Sequence, residues 1–205
     1  MPIFKNYIFE SIQICFWIFS EDDELTAEQL IEKENEERFS KYHPNKLAEV
    51  LMVRKMLKKL LPGSKILYKD CGEPYLSPNN YNISISHSFP MVSIAISKNR
   101  IGIDLEKVKE KIIRIKDKFI LNEKSFIPND NEEKYLTAIW CVKEALYKIH
   151  HSKHWSLKKH YEVMPFVLSD NIEVDCRVYD EVAEDFFKAK ITFFDDYCFA
   201  VVEEY

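Results

Sequence analysis

The chain has 205 residues, 46% hydrophobic and 14% aromatic, with a formal net charge of −5, enough apolar mass for one large cored domain or two small ones. Its only glycines are Gly63, Gly72 and Gly102, which excludes a glycine-rich phosphate cradle of the P-loop or dinucleotide-fold kind. An acidic chain without exposed aromatics interleaved among basic residues also excludes a nucleic-acid partner, so a phosphate here must be held by side chains and metal.

The first apolar stretch, residues 7–19, is interrupted by Glu10 and Gln13. It lacks a basic leader and a small-residue cleavage site and is too short to cross a bilayer, so a buried strand over 12–19 and no membrane segment are expected. Residues 21–37 hold nine acids against one Lys. With Thr26 as a cap they predict a helix over 25–38, whose acidic face could equally be solvated or functional. A second helix spans 45–60 and stops at Pro62-Gly63. A loop follows, with Gly72-Glu73-Pro74 and Ser77-Pro78-Asn79-Asn80. The β-like runs 81–87, 91–97 and 101–106 are joined by short turns and predict an antiparallel meander. Helices are expected over 108–120 and 131–150, and strands over 172–179, 187–194 and 197–203. The five cysteines are scattered, odd in number and without zinc-ligand spacing. Most sit in apolar runs, which implies reduced thiols in a reducing, cytoplasmic compartment.

The segment Leu47–Leu60 lies over Leu136–Ile149 without a gap, with Leu47/Leu136, Val53/Val142, Leu57/Leu146 and Lys59/Lys148 matched and Arg54 over Lys143. Each is followed by β-like runs, and 91–96 resembles 197–202. Two amphipathic helices can match by chance. The alternative is a duplicated α+β unit with a boundary near residue 100, and a ligand site at the junction.

Two motifs carry chemistry. In Ile101-Gly-Ile-Asp-Leu-Glu106, residues two apart on a strand share a face. Asp104 and Glu106 therefore converge, either as a solvated edge or as oxygen ligands for a hard cation such as Mg²⁺. In Trp140-Cys-Val-Lys-Glu-Ala-Leu-Tyr-Lys148, Trp140, Glu144 and Lys148 share one helix face. Glu144 and Lys148 could be a surface pair worth about 0.3–0.5 kcal/mol, or a general base beside a phosphate contact. Lys143 is offset by roughly 100° and need not share their role. Ser86-His87 closes a strand as a plausible anion contact, and no nucleophile elbow supports a serine hydrolase. His150, His151 and His154 lack a carboxylate or Cys at ligand spacing and read as a loop. Residues 107–118 hold six basic residues (Lys107, Lys109, Lys111, Arg114, Lys116, Lys118) against Glu110 and Asp117, which suits an acidic partner beside the metal motif.

In order and spacing, residues 82–88, 101–106 and 140–148 together resemble the 4′-phosphopantetheinyl transferases of the surfactin type. The resemblance extends over about 38–150. It implies an α+β fold of two similar α/β subdomains related by a pseudo-two-fold, 1–100 and 101–205, with the second carrying the metal and catalytic motifs and the active site at the junction. It implies transfer of phosphopantetheine from coenzyme A to a serine of an apo acyl or peptidyl carrier protein, releasing 3′,5′-ADP. Under that reading Asp104, Glu106 and Glu123 hold Mg²⁺ (or Mn²⁺), Glu144 deprotonates the carrier serine, and Lys148 contacts the phosphate. Ser86 and His87 meet the nucleotide end of coenzyme A, and the acidic carrier docks near Lys107–Lys118. A monomer suffices, since a duplicated chain supplies both sides of the site. The departures lie at the nucleotide end: Glu73 stands where the family has a basic residue, and Glu32, Glu34, Glu36 and Glu37 replace basic residues before Arg38. The 3′-phosphate would then fall to Lys46 or Arg54, and Arg54 could instead be structural. A non-catalytic carrier- or coenzyme-A-binding relative is the alternative.

Overall fold

The computed structural model describes residues 4–9, 12–20 and 24–204, and the chain divides into two units, Met1–Arg100 and Ile101–Tyr205. The first runs β1 (Phe4–Phe9), β2 (Ile12–Ile18), α1 (Ala27–Leu30), a 3-10 turn at Lys33–Asn35, α2 (Glu36–Phe39), α3 (Pro44–Leu60), β3 (Lys65–Tyr68), β4 (Pro74–Ser77), β5 (Asn82–Ser88) and β6 (Met91–Ser97). Its main sheet has the order β1-β2-β6-β5, antiparallel throughout. An interior strand buried on both faces needs a nearly continuous apolar or small-residue run, and Met-Val-Ser-Ile-Ala-Ile-Ser supplies it: every β6 residue is buried. Pro44 opens α3, where its missing N–H costs nothing, and Gly63, at φ +88°, follows its end. Met52, Val53, Met56 and Leu57 on α3 join Val92, Ile94 and Ile96 of β6 in one core.

Three expectations fail in this unit. The helix over 25–38 is three short pieces. Its axis breaks at Ile31 and Glu32, both extended, because Glu32 turns inward instead of toward solvent. Its carboxylate accepts from Arg54 Nε at 2.8 Å, Asn35 Nδ2 at 2.9 Å and the Ile66 N–H at 3.1 Å. The loop after α3 contains the β3–β4 hairpin, whose four-residue strands pair Lys65 with Ser77 through Tyr68 with Pro74. Finally, 101–106 does not complete a meander with 81–97 but pairs in the other unit's sheet.

That second unit runs β7 (Ile101–Lys107), 3-10 helices at Glu110–Lys118 and Asn122–Ser125, α4 (Glu132–Ile149), α5 (Leu157–His160), β8 (Tyr161–Val163), β9 (Asn171–Tyr179), β10 (Glu184–Phe194) and β11 (Tyr197–Glu203). The antiparallel sheet has the order β7-β11-β10-β9-β8. The expected helix over 108–120 is 3-10, with Ile112, Ile113 and Ile115 packed against the core and the basic side chains outside. Strand β8 was not foreseen; three residues are too few to display a period. Helix α4 packs on β7 and β11. Its Leu136, Ile139, Val142, Ala145, Leu146 and Ile149 join Cys198, Ala200 and Val202 in the core, each large side chain contributing about 1.5–3 kcal/mol by burial. No helix among the described residues is long and apolar enough to cross a membrane.

The helix meets β7 at Gly102. A Cβ there would lie 2.0 Å from the Ala145 carbonyl oxygen and 3.2 Å from Ile149 Cβ, so only glycine admits this backbone contact. Gly102→Ala should destabilise the protein by roughly 1–3 kcal/mol, as overpacking does. Urea denaturation checks this, and an unchanged midpoint would show that the contact relaxes freely.

Candidate functional site

Helix α4 presents two faces with opposite uses. On one, Lys148 Nζ donates to the Ile103 carbonyl at 2.8 Å and to Asp104 Oδ1 at 2.7 Å. Asp104 is 95% buried, so the ion pair sits in a low-dielectric setting where its attraction is strong. Glu144, one turn earlier, is half-buried. Burial first, and then the negative charge of Asp104, push its carboxyl above the usual range, while Lys148 pulls it back. Asp104, Glu144 and Lys148 thus form one electrostatic cluster. Glu106 shares the strand face of Asp104 and is partly exposed.

The buried Cys141 thiol does not compete as a ligand. Cys141 Sγ donates to the Cys198 carbonyl at 3.6 Å, and burial, with the Cys198, Asp104 and Glu106 interactions, raises it well above the ordinary thiol range. Asp104 and Glu106 offer oxygen donors only, and a hard divalent cation such as Mg²⁺ fits them.

The other face of α4 holds Lys143, fully buried. Its Nζ donates to the Phe119 carbonyl at 2.6 Å and pairs with Glu123 Oε1 at 2.6 Å. Desolvation lowers the Lys143 ammonium, and Glu123 opposes that shift. Glu123 is 1% exposed; its Oε1 also accepts from the Val163 N–H at 3.2 Å and its Oε2 from the Leu121 N–H at 3.0 Å. Glu123, expected as the third metal acid, is engaged in these internal contacts, and both oxygens hold the 119–125 segment on α4 and β8. Glu144 is the carboxylate beside Asp104. The roughly 100° offset of Lys143 from the Glu144–Lys148 face was the available sequence signal.

In the first unit, Ser86 is buried near the end of β5, and His87 is exposed. Lys46, from the first turns of α3, lies against the His87 ring, with its Nζ 3.5 Å from Nδ1. Glu49 Oε2 is 3.0 Å from Lys46 Nζ and 3.4 Å from His87 Nδ1. Of the two cations considered for the 3′-phosphate, Arg54 is structural. It is 3% exposed, paired with Glu32 at 2.8 Å and stacked 4.8 Å over Phe39. Glu73 pairs with Lys69 at 2.9 Å across the hairpin turn. The basic segment keeps Lys111 and Arg114 exposed, whereas Lys107 and Lys116 are tied to Asp196 at 2.5 Å and Glu132 at 2.7 Å.

A helix packed on a sheet, with a strand D-x-E and a helical E-x-x-x-K meeting beneath it, defines a class. Residues 100–202, half of the chain, match the family model of the 4′-phosphopantetheinyl transferase superfamily. The chain belongs to that superfamily. It is also similar to a curated relative, 4′-phosphopantetheinyl transferase gsp of Aneurinibacillus migulanus, at 29% identity over 131 residues, 58% of this chain and 55% of the relative. The match thus spans about half the length of that relative.

Because the folded protein holds Glu144 above its ordinary value of 4.5, its contribution to stability is present in full below that value. It is lost as pH rises through the folded value. Glu144→Gln should therefore match the wild type near pH 4 and exceed it in stability at pH 7. Denaturant titrations at both pH values check this, and a variant less stable at pH 7 would contradict it.

Proposed function

We propose that the chain transfers 4′-phosphopantetheine from coenzyme A to a serine hydroxyl of an apo carrier protein. The observation that carries this reading is the Asp104–Glu144–Lys148 cluster, set between β7 and α4 in a chain of this superfamily. Asp104 and Glu106 would hold the metal. A Mg²⁺ ion bound there would neutralise charge on the coenzyme A pyrophosphate. Glu144, biased toward holding a proton, takes the serine proton directly or through a water. The serine Oγ–phosphorus bond forms, the pyrophosphate P–O bond breaks, and 3′,5′-ADP leaves. Lys148, on the same helix face, contacts the phosphate and offsets the charge that develops on the leaving group. Ser86 and His87 meet the nucleotide end, with Lys46 as the adjoining second cation.

In the same reading the two units are similar halves. Its support is that each packs one long helix, α3 or α4, on an antiparallel sheet with a fully buried strand, β6 or β11. The carrier docks on the outward basic face of the Glu110–Lys118 helix, where acidic complementarity mainly speeds encounter.

Incubation with coenzyme A, Mg²⁺ and a panel of apo carriers should add a phosphopantetheinyl mass to a carrier serine. Asp104→Ala and Glu144→Gln should each lower turnover by about 100-fold or more, with circular dichroism unchanged. Absence of transfer to every apo carrier encoded in the same genome would sink the reading. A second reading, a relative that binds coenzyme A or carrier without turnover, is favoured by the commitment of Arg54 and Glu73 to internal pairs. It predicts bound coenzyme A that is never consumed. For docking, K111E/R114E should reduce kcat/KM for the carrier about tenfold at low salt and much less at high salt. An equal loss at both ionic strengths would refute a steering role.

A further inference from the structure

Four histidines gather where α4 ends. The rings of His150 and His151 have centroids 4.4 Å apart, those of His150 and His154 6.1 Å, and those of His154 and His160 4.5 Å. The local sequence offers this cluster no carboxylate; the fold supplies one from β10. His150 Nε2 lies 2.9 Å from Asp185 Oδ2, and one ligand atom from each of His150, His151 and Asp185 falls within 4.8 Å of the other two.

We propose that His150, His151 and Asp185 form a second metal site, for a transition ion such as Zn²⁺. Two imidazoles and one carboxylate, with water completing the shell, make a mixed nitrogen and oxygen donor set that suits zinc and its neighbours and is a poor match for Mg²⁺. Donors bonded to one such ion at about 2.0–2.2 Å lie roughly 3–3.5 Å apart. The His150–Asp185 pair needs little change in separation, and His151, exposed at the turn, must swing inward.

His150 is already fixed. It is 3% exposed, meets Phe187 edge-on at 6.0 Å, and donates its backbone N–H to the Leu146 carbonyl at 2.8 Å as the C-cap of α4. The ring Nδ1 accepts from the Ser152 N–H at 3.2 Å, so the ring proton sits on Nε2, facing Asp185. When a metal takes Nε2, that proton is carried on Nδ1 and the long Ser152 contact opens; the imidazole stays neutral. His154, 3.5 Å from Asp180, lies in the outer layer. An ion here would pin the end of α4, the helix of Glu144 and Lys148, to β10.

The test uses the full chain, stripped with chelator and kept in millimolar Mg²⁺ so that oxygen-only sites are filled. ZnCl₂ is titrated by calorimetry and Co²⁺ by visible absorption. One Zn²⁺ per chain is expected, weakened about tenfold or more by His151→Ala and by Asp185→Asn. Both residues are accessible enough to be changed without touching the His150 cap. The cobalt spectrum should show ligand-field bands and no thiolate charge transfer. No binding, wild-type affinity in both variants, or a thiolate band removed by Cys71→Ser would each overturn the site.

Discussion

The contact on which the second unit depends is that of the Gly102 backbone with the Ala145 carbonyl oxygen. An absent Cβ lets α4 settle onto β7 more closely than any side chain would allow. The other distances follow. Ile103 and Asp104 are the next two residues along the strand, and Lys148 is three residues beyond Ala145, so a lysine of ordinary reach bonds both. Glu144, beside Ala145, is brought under the field of Asp104. A separation set by one larger residue would lengthen each of these interactions together, which is why the glycine belongs to the chemistry as much as to the packing.

The chain uses the same residue types for opposite purposes. Lys143–Glu123 and Arg54–Glu32 are buried and hydrogen-bonded to their surroundings. Such pairs add little net stability, and breaking one by removing a partner leaves a costly buried charge. They hold irregular segments, the 119–125 stretch and the 31–35 turn, where no ladder of backbone bonds does so. Lys148 and Glu144, by contrast, keep part of their surface in solvent, and the Lys148 charge pulls the Glu144 carboxyl down. Identity does not separate the two sets; position around the helix does.

That distinction also marks what could be read in advance. Period-two and period-3.6 patterns located β7, α3, α4 and the C-terminal strands, and they placed Asp104 with Glu106 and Glu144 with Lys148, because side-chain direction follows from local geometry alone. Two of the failures share one cause: each depends on a partner distant in sequence. Glu32 is drawn in by Arg54 and breaks a helix that local propensity favours. Ile101–Lys107 follows β6 closely, yet pairs with Tyr197–Glu203.

The central claim is that Asp104 and its neighbours hold a metal ion against the coenzyme A pyrophosphate. Phosphorus NMR of coenzyme A with the protein and substoichiometric Mn²⁺ addresses it most directly, since a paramagnetic ion broadens only the phosphorus nuclei it approaches. The account predicts selective broadening of the two pyrophosphate resonances over the 3′-phosphate, abolished by Asp104→Asn. Equal broadening of all three resonances, or selective broadening that survives the substitution, would contradict it.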